Sequence, residues 1–532
     1  MTGSSGNPPT PAAPGLAALQ PPDALGMGRL AASGGMWAFG ASVLCKVFAA
    51  ASVIVMSHLL TEADYGIAGF ALAVAAWLVI VSPVTMSDVA VSHRHRLERI
   101  APLVQRFFRQ SSAFSSVVLV IGTALCVALD HLSRPMVFVA MLLALGTRPC
   151  LESLLALRVA VLRIELQYRT ISLIDGVANL GGVCAGIGLA LLGAGPFSLL
   201  APALLTLAIR AFAVRKVAIP PLEDDPTLRR LEAPLRRSLI RSNAAQYVHN
   251  LVFVIDAIAL GLMSDTGQLG LFNFAFLVAS QSNAVIGYQL GSVLQPVFVR
   301  LRGDAAREST AFGRVIRCVG AVMVPVSAMQ AAVGPAVFAW LFPGRWAEAL
   351  PAFMALSLAQ GFYFAVHPTM AFMKSRRRFG GLLLWQVCHG VAAFVVLVPI
   401  ARTGGATSVA VASSALWAVS VLTAACLAVS RRDGGRGRLL VAMLAPWATA
   451  VPAALALHWA SGRWCGEMAP WLHAMVMVGA GGILGCCLIL ANRWTNPAAW
   501  RDISMILSGV WKKVGRIASC AGQRSGSRSL TP

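Results

Sequence analysis

An all-α, polytopic membrane fold of about fourteen transmembrane helices follows from three features of the sequence. Hydrophobic residues make up 57% of the chain and charged residues only 12%. Apolar runs of membrane-spanning length recur from end to end, and basic residues alternate between the connections that join them. No water-soluble core and surface of this length accommodates so little charge, so lipid is the solvent for most of the chain.

A helix needs roughly 20 apolar residues to cross the ~30 Å hydrocarbon layer. Runs of that kind cover Met36–Leu60, Gly66–Val91, Ser112–Leu129, Pro135–Leu157, Ile171–Leu192, Pro196–Ala213 and Asn243–Met263. They continue over Leu269–Val297, Val315–Leu341, Leu350–Met373, Gly380–Ile400, Ala406–Ser430, Leu439–Ala460 and Pro470–Leu490.

A formal charge of +22 on a soluble domain would point to nucleic acid, but the distribution of these charges points to membrane topology. Of 43 Lys and Arg residues, 37 fall in the two tails, in the even-numbered connections or, as Arg210 and Arg317 do, within a turn of them. The odd-numbered connections hold only Arg134, Arg345, Arg402 and Arg463, and Lys46 and Arg148 lie within spans. The positive-inside rule therefore places both termini in the cytoplasm and identifies the arginine-poor face as the outer one. Nucleic acid is not an expected partner.

Residues 1–35, rich in Pro, Ala, Gly and Ser, read as a disordered cytoplasmic tail, and the first span as the uncleaved insertion signal. Residues 36–214 and 242–430 hold six spans each. The linker at 215–241 contains Pro220, Pro221 and the acidic run Glu223–Asp225. A weak internal repeat supports this division: LLTEADYGIAGFALAVA from Leu59 and LMSDTGQLGLFNFAFLVA from Leu262 align Gly66 with Gly270, Phe70 with Phe274 and Ala71 with Ala275. Duplicated bundles are a common way to build two lobes about a central site. Two further spans occupy 439–490. In the basic tail at 491–532, Trp500, Ile503, Leu507, Val510, Val514 and Ile517 form a helical apolar stripe suited to the anionic cytoplasmic leaflet. The cysteines lie mostly in apolar spans without metal-ligand spacing, and no metal or other cofactor is expected.

Four segments carry a resemblance. LLTEADYG at Leu59–Gly66 resembles the N-terminal signature of the polysaccharide transporter family, within the multidrug, oligosaccharidyl-lipid and polysaccharide exporter superfamily. Asp256 with Gly261, followed by LGLFNFAF at Leu269–Phe276, resembles the start of that family's second half. ALRVAVLRIELQYRTISLID at Ala156–Asp175 and GRWAEALPAFMALSLAQ at Gly344–Gln360 resemble its fourth-to-fifth connection and the approach to its tenth span. Phe253 stands where the family often has arginine, and Phe272 replaces a tyrosine. The resemblance implies two six-helix lobes in a V-shaped arrangement, two extra C-terminal helices and a bacterial cytoplasmic-membrane location. It also implies alternating access that carries an undecaprenyl-diphosphate-linked oligosaccharide to the outer leaflet. Anionic lipids and other polysaccharide assembly proteins are the remaining expected partners.

Ionisable groups within spans cost ~2.5 to 3.5 kcal/mol each at the helix centre, so each calls for a reason. Lys46 lies roughly 15 Å inside the first span, where its ammonium either neutralises a diphosphate or pairs with a carboxylate. Arg148 and Glu152, one turn apart, either neutralise each other or leave the Arg148 fork for phosphate; Pro149 between them predicts a kink. His249 and Asp256, seven residues apart, are expected on one helix face as a proton- or ion-coupling pair. Asn273, Gln281 and Asn283 offer hydrogen bonds to sugars or to neighbouring helices.

No lysine follows a glycine, so no GxxxxGK phosphate loop is present; HExxH and Asp-x-Asp are absent as well. A transporter rather than an enzyme is expected. A polysaccharide polymerase or ligase calls for a sizeable charged outer loop, and a cation exporter for unpaired carboxylates in the first lobe, where Lys46 and Arg148 stand instead. The topology predicts that a membrane-impermeant thiol reagent outside the cell will label cysteines placed near Asp64, Asp265 and Arg345. It will miss those near Arg96, Arg229 and Arg377, and external labelling of the second set overturns the orientation.

Overall fold

The structure, a computed structural model, describes residues 44–79, 97–126, 135–217, 240–281, 301–429 and 435–504, apart from isolated positions within those ranges, together with 294 and 298. It is helical almost throughout these residues, as lipid demands: with no water to satisfy them, backbone N–H and C=O groups must pair within their own segment.

The N-terminal half comprises α1 (Val47–Leu59), α2 (Glu62–Leu78), α3 (Leu97–Cys126), α4 (Pro135–Leu145), α5 (Arg148–Ile164), α6 (Tyr168–Leu191) and α7 (Phe197–Val214). The following half comprises α8 (Gln246–Phe253), α9 (Ile255–Met263), α10 (Thr266–Ala279), α11 (Ala305–Leu341), α12 (Leu350–Tyr363), α13 (Val366–Ser375), α14 (Phe379–Thr403) and α15 (Gly405–Ala428). A 3₁₀ turn at Gly344–Ala349 precedes α12, and α16 (Gly435–Trp464) and α17 (Pro470–Thr495) complete the described spans. Nine helical stretches among the described residues are long and apolar enough to cross a membrane, and α8 with α9 forms a tenth bent by 46°.

The two repeat copies begin alike. Thr61 caps α2, its hydroxyl accepting from the Asp64 N–H at 3.2 Å while the Asp64 carboxylate accepts from the Thr61 N–H at 3.0 Å. Asp265, the residue aligned with Thr61, caps α10 by accepting from the Gln268 N–H at 2.8 Å. Such caps satisfy donors that a helix start leaves open.

These equivalent helices then cross in direct backbone contact. A Cβ added to Gly66 would fall 2.0 Å from the Thr266 carbonyl oxygen, and one added to Gly270 would fall 1.9 Å from the Glu62 carbonyl oxygen. Because Gly66 aligns with Gly270 and Glu62 with Thr266, the two contacts are the same contact seen from either half. One turn on, Gly69 receives the side chain of its aligned partner, Asn273. Small residues permit this approach in lipid, where packing rather than water exclusion joins helices.

The 3₁₀ turn reinforces the junction. The buried Trp346 indole donates to the Ser57 carbonyl of the N-terminal half at 2.8 Å, and its ring lies 5.1 Å from Tyr65 and 4.1 Å from Phe274. Phe274 is also 5.6 Å from Tyr65, edge to face. All of this lies at the arginine-poor end of the bundle, where Gly195 meets Asp64 and the Gln268 amide oxygen accepts from the Ala406 N–H at 2.9 Å.

At the arginine-rich end, α11 is the hub. Its 37 residues run roughly 55 Å, well beyond the hydrocarbon layer, and α16 and α17 pack along it. Arg314 and Arg317 clasp the buried Asp502 at 2.9 and 3.2 Å, tying the segment after α17 to the start of α11. Arg376 pairs with the buried Glu308 at 2.6 Å. Of the tail's apolar stripe, only Trp500 lies within the described residues.

No rotamer relieves a methyl group facing a backbone carbonyl. Gly66→Ala and Gly270→Ala are therefore expected each to destabilise the purified protein by about 1 to 3 kcal/mol, read as a lower thermal midpoint in detergent. Gly176→Ala, where nothing stands within 4 Å of the added carbon, is the control and leaves the midpoint unchanged.

Candidate functional site

In the N-terminal half, the expected kink is a two-residue interruption of the helix. The α4 helix ends at Leu145, Gly146 and Thr147 form a turn, and α5 restarts at Arg148 with Pro149 in its first turn. Ser116 on α3 donates to the Gly146 carbonyl at 3.0 Å, supplying the polar partner that a broken backbone needs inside a bundle. The restart aims Arg148 at Glu152: the Nε donates to the carboxylate at 2.8 Å, with the Arg148 side chain 41% exposed and that of Glu152 only 8%. The self-pairing alternative is therefore the observed one, and much of the guanidinium stays open for a second anion. In the same half, Arg210 on α7 pairs with Asp175 on α6 at 2.9 Å.

In the second half, His249 and Asp256 do not share one uninterrupted face. The chain bends by 46° between α8 and α9, and that bend falls at Val254, between them. Asp256 is buried: its carboxylate accepts from the Ser413 hydroxyl on α15 at 3.1 Å and from the Ala257 N–H at 2.9 Å. Beside it is a cavity of about 30 Å³, lined by polar groups of Asp256, Ser280, Gln360, Tyr363, Ser413 and Ser414 and walled by Phe253, Phe276 and Trp417. That is room for one or two waters with several partners. Phe253, at the position where the resembled family often has arginine, is thus an apolar wall of this cavity.

His249 is also buried, in an adjoining neighbourhood with Gln386, His367 and His389, its ring 6.5 Å from Phe253. There the His389 ring lies 4.3 Å from Trp417, which sits 5.0 Å from Tyr363, itself 5.8 Å from His367. The Trp417 indole is therefore shared between the histidine neighbourhood and the Asp256 cavity.

Asn273 faces Gly69 across the junction of the two halves. Gln281 donates to the Leu277 carbonyl at 2.9 Å and buries its amide oxygen without a partner among the described residues. Lys46 and Asn283 lie outside the described residues. Sequence reading passed over Ser413, Gln360 and Gln386; the available signal was a polar side chain within an apolar run, the same signal that singled out Asn273 and Gln281.

Removing Arg148 leaves the buried Glu152 carboxylate without its cation. Breaking a fully buried pair costs about 3 to 5 kcal/mol, and the exposure of Arg148 lowers the expected loss for Arg148→Ala to about 1 to 2 kcal/mol. Adding Glu152→Gln should restore the thermal midpoint. If the double variant regains stability but not activity in cells, Arg148 has a role beyond neutralising Glu152; if it regains both, the pair is structural.

The sequence matches the family described as polysaccharide biosynthesis protein over residues 55–351, more than half of the chain. No curated protein matches it. Among solved structures, the chain resembles a lipid II flippase MurJ in an inward closed conformation, with a TM-score of 0.57 and 10% sequence identity over 85% of this chain and 99% of that one. At that identity the likeness is one of fold, and the profile match carries the assignment: this multi-pass membrane chain belongs to the polysaccharide biosynthesis protein family.

Proposed function

We propose that this protein is a flippase for a lipid-linked oligosaccharide, moving an undecaprenyl-diphosphate-linked glycan across the bacterial cytoplasmic membrane by alternating access. Both termini are cytoplasmic in this reading, and the arginine-poor end opens to the outside. Family membership and the flippase-like fold support the substrate class. The observation that carries the transport mode is the reciprocal glycine junction between the two repeat halves.

That junction suits a movable seal. Its close contacts are backbone against backbone at Gly66 and Gly270 and side chain against backbone at Gly69, and a buried indole hydrogen bond, from Trp346, crosses beside them. Separating α2 from α10 strands few polar groups and opens the arginine-poor end. Two six-helix lobes, at 36–214 and 242–430, move against each other in this scheme, with α16 and α17 as an accessory pair.

The substrate's diphosphate is met by cations of the first lobe. Lys46 is the proposed principal ligand, and the open side of the Arg148 guanidinium is the second, held in place by Glu152. Asn273 becomes available to sugar hydroxyls only when the seam parts, since in the closed junction it fills the space left by Gly69; Gln281 and Asn283 follow on the same run. Ion or proton coupling falls to Asp256, which has a water-sized cavity beside it, with His249 as a second group on the far side of the bend. The basic tail engages anionic lipid headgroups, and other polysaccharide assembly proteins supply and receive the glycan.

A compact ammonium facing a diphosphate in a partly dry cavity contributes strongly by Coulomb attraction. In a strain lacking its own transporter, Lys46→Ala is expected to abolish complementation at normal protein levels, whereas Lys46→Arg retains part of it. Full complementation by Lys46→Ala removes Lys46 from the site.

A further inference from the structure

We propose that the closed junction carries a proton-sensitive latch at its outer rim, in which Glu62 of one half is brought against Asp265, Arg345 and Glu348 of the other. This rests on the alternating-access reading above. It adds a control that neither the family nor the fold specifies: closure favoured by acid on the arginine-poor side and opposed as that side becomes more alkaline.

The geometry follows from the glycine contact. Because Gly270 lets α10 rest on the Glu62 backbone, the Glu62 side chain is carried over the first turn of α10, its Oε2 atom 3.9 Å from where a side chain on Gly267 would begin. Asp265 caps that same turn, and the 3₁₀ turn that inserts Trp346 carries Arg345 and Glu348, whose charges reach Glu62. Closure thus gathers three carboxylates and one guanidinium. Asp64, the other acid on this end of α2, is turned into the capping box with Thr61. Glu62 precedes the apolar stretch that starts at Gly66 and is half-buried, whereas Asp265, Arg345 and Glu348 are exposed to solvent.

Burial raises the Glu62 carboxyl above its ordinary value of 4.5; Glu348 and, less strongly, Asp265 raise it further, while Arg345 opposes them. All three charged neighbours belong to the other half, so their part of the shift belongs to the closed junction; the Glu62 backbone lies under Gly270 of that same half, so parting also lightens the burial that is the largest cause. A group with a higher proton affinity in one state favours that state as pH falls. Below the ordinary carboxyl range Glu62 is protonated whether the junction is open or closed, and no bias exists. As pH rises through the raised value, the closed junction acquires an ionised Glu62 that it holds less well than the open one, and the equilibrium moves toward opening.

The test uses the full-length protein, freed of its native cysteines, in lipid nanodiscs. Spin labels go on Leu192→Cys beside the Gly195 turn of one half and Thr403→Cys near Gln268 of the other, and their separation is measured by pulsed electron resonance from pH 4 to pH 7.5. In the parent, the population with the longer distance is expected to grow as pH rises. Glu62→Gln should lose that titration and keep the shorter distance at pH 7.5; Arg345→Gln should favour the longer distance over a wider pH range. An unaltered titration in Glu62→Gln overturns the latch, as does a parent whose distances ignore pH yet respond to added undecaprenyl diphosphate. Distances that respond to neither overturn the movable junction itself, and the latch with it.

Discussion

The structure turns on a backbone-to-backbone crossing of two equivalent helices, possible only because Gly66 and Gly270 have no side chain. Everything at the arginine-poor end is arranged around that crossing: the two caps fix where α2 and α10 begin, Asn273 fills the step left by Gly69, and Trp346 closes the gap toward α1. In lipid, apolar area gives little drive for one helix to join another, so the closeness of packing is what the junction has to offer. A contact built from shape and few polar bonds strands few polar groups when it parts, and that property suits the proposed movable seal. The ion pairs at the other end have the opposite character. Asp502 with Arg314 and Arg317, and Glu308 with Arg376, place buried carboxylates where loss of a partner is costly, as a permanent joint requires.

Much of this was legible from residues alone. The alignment that paired Gly66 with Gly270 identified the residues in contact, because duplicated helices that meet near a pseudo-twofold axis touch through equivalent positions. Thr61 and Asp265, five residues earlier in each copy, are both residue types that cap helices, and both do so. Pro149 marked the interruption between α4 and α5, since proline removes a donor that continuous helix requires.

Other features left no such mark. The bend between His249 and Asp256 falls at Val254, with no proline or glycine to announce it, so a seven-residue spacing suggested one straight helix that the backbone does not provide. The Asp256 cavity takes Ser413 and Gln360 from spans more than a hundred residues away, and serine in an apolar helix most often turns back on its own backbone. The Trp346 indole reaches a carbonyl at Ser57, 289 positions distant. Long-range pairing of this sort depends on how the halves dock, which hydropathy and charge do not encode.

The central claim is that α2 and α10 must part for the glycan to cross. A reversible bond across their junction tests it most directly: Gly69→Cys with Asn273→Cys, in an otherwise cysteine-free protein, replaces the present side-chain-to-glycine contact with a disulfide. Reconstituted flipping of an undecaprenyl-diphosphate-linked oligosaccharide is then measured in the oxidised protein and again after reduction. The account predicts no flipping while the bond is intact and recovery once it is reduced. Flipping by the oxidised protein at the reduced rate would contradict it.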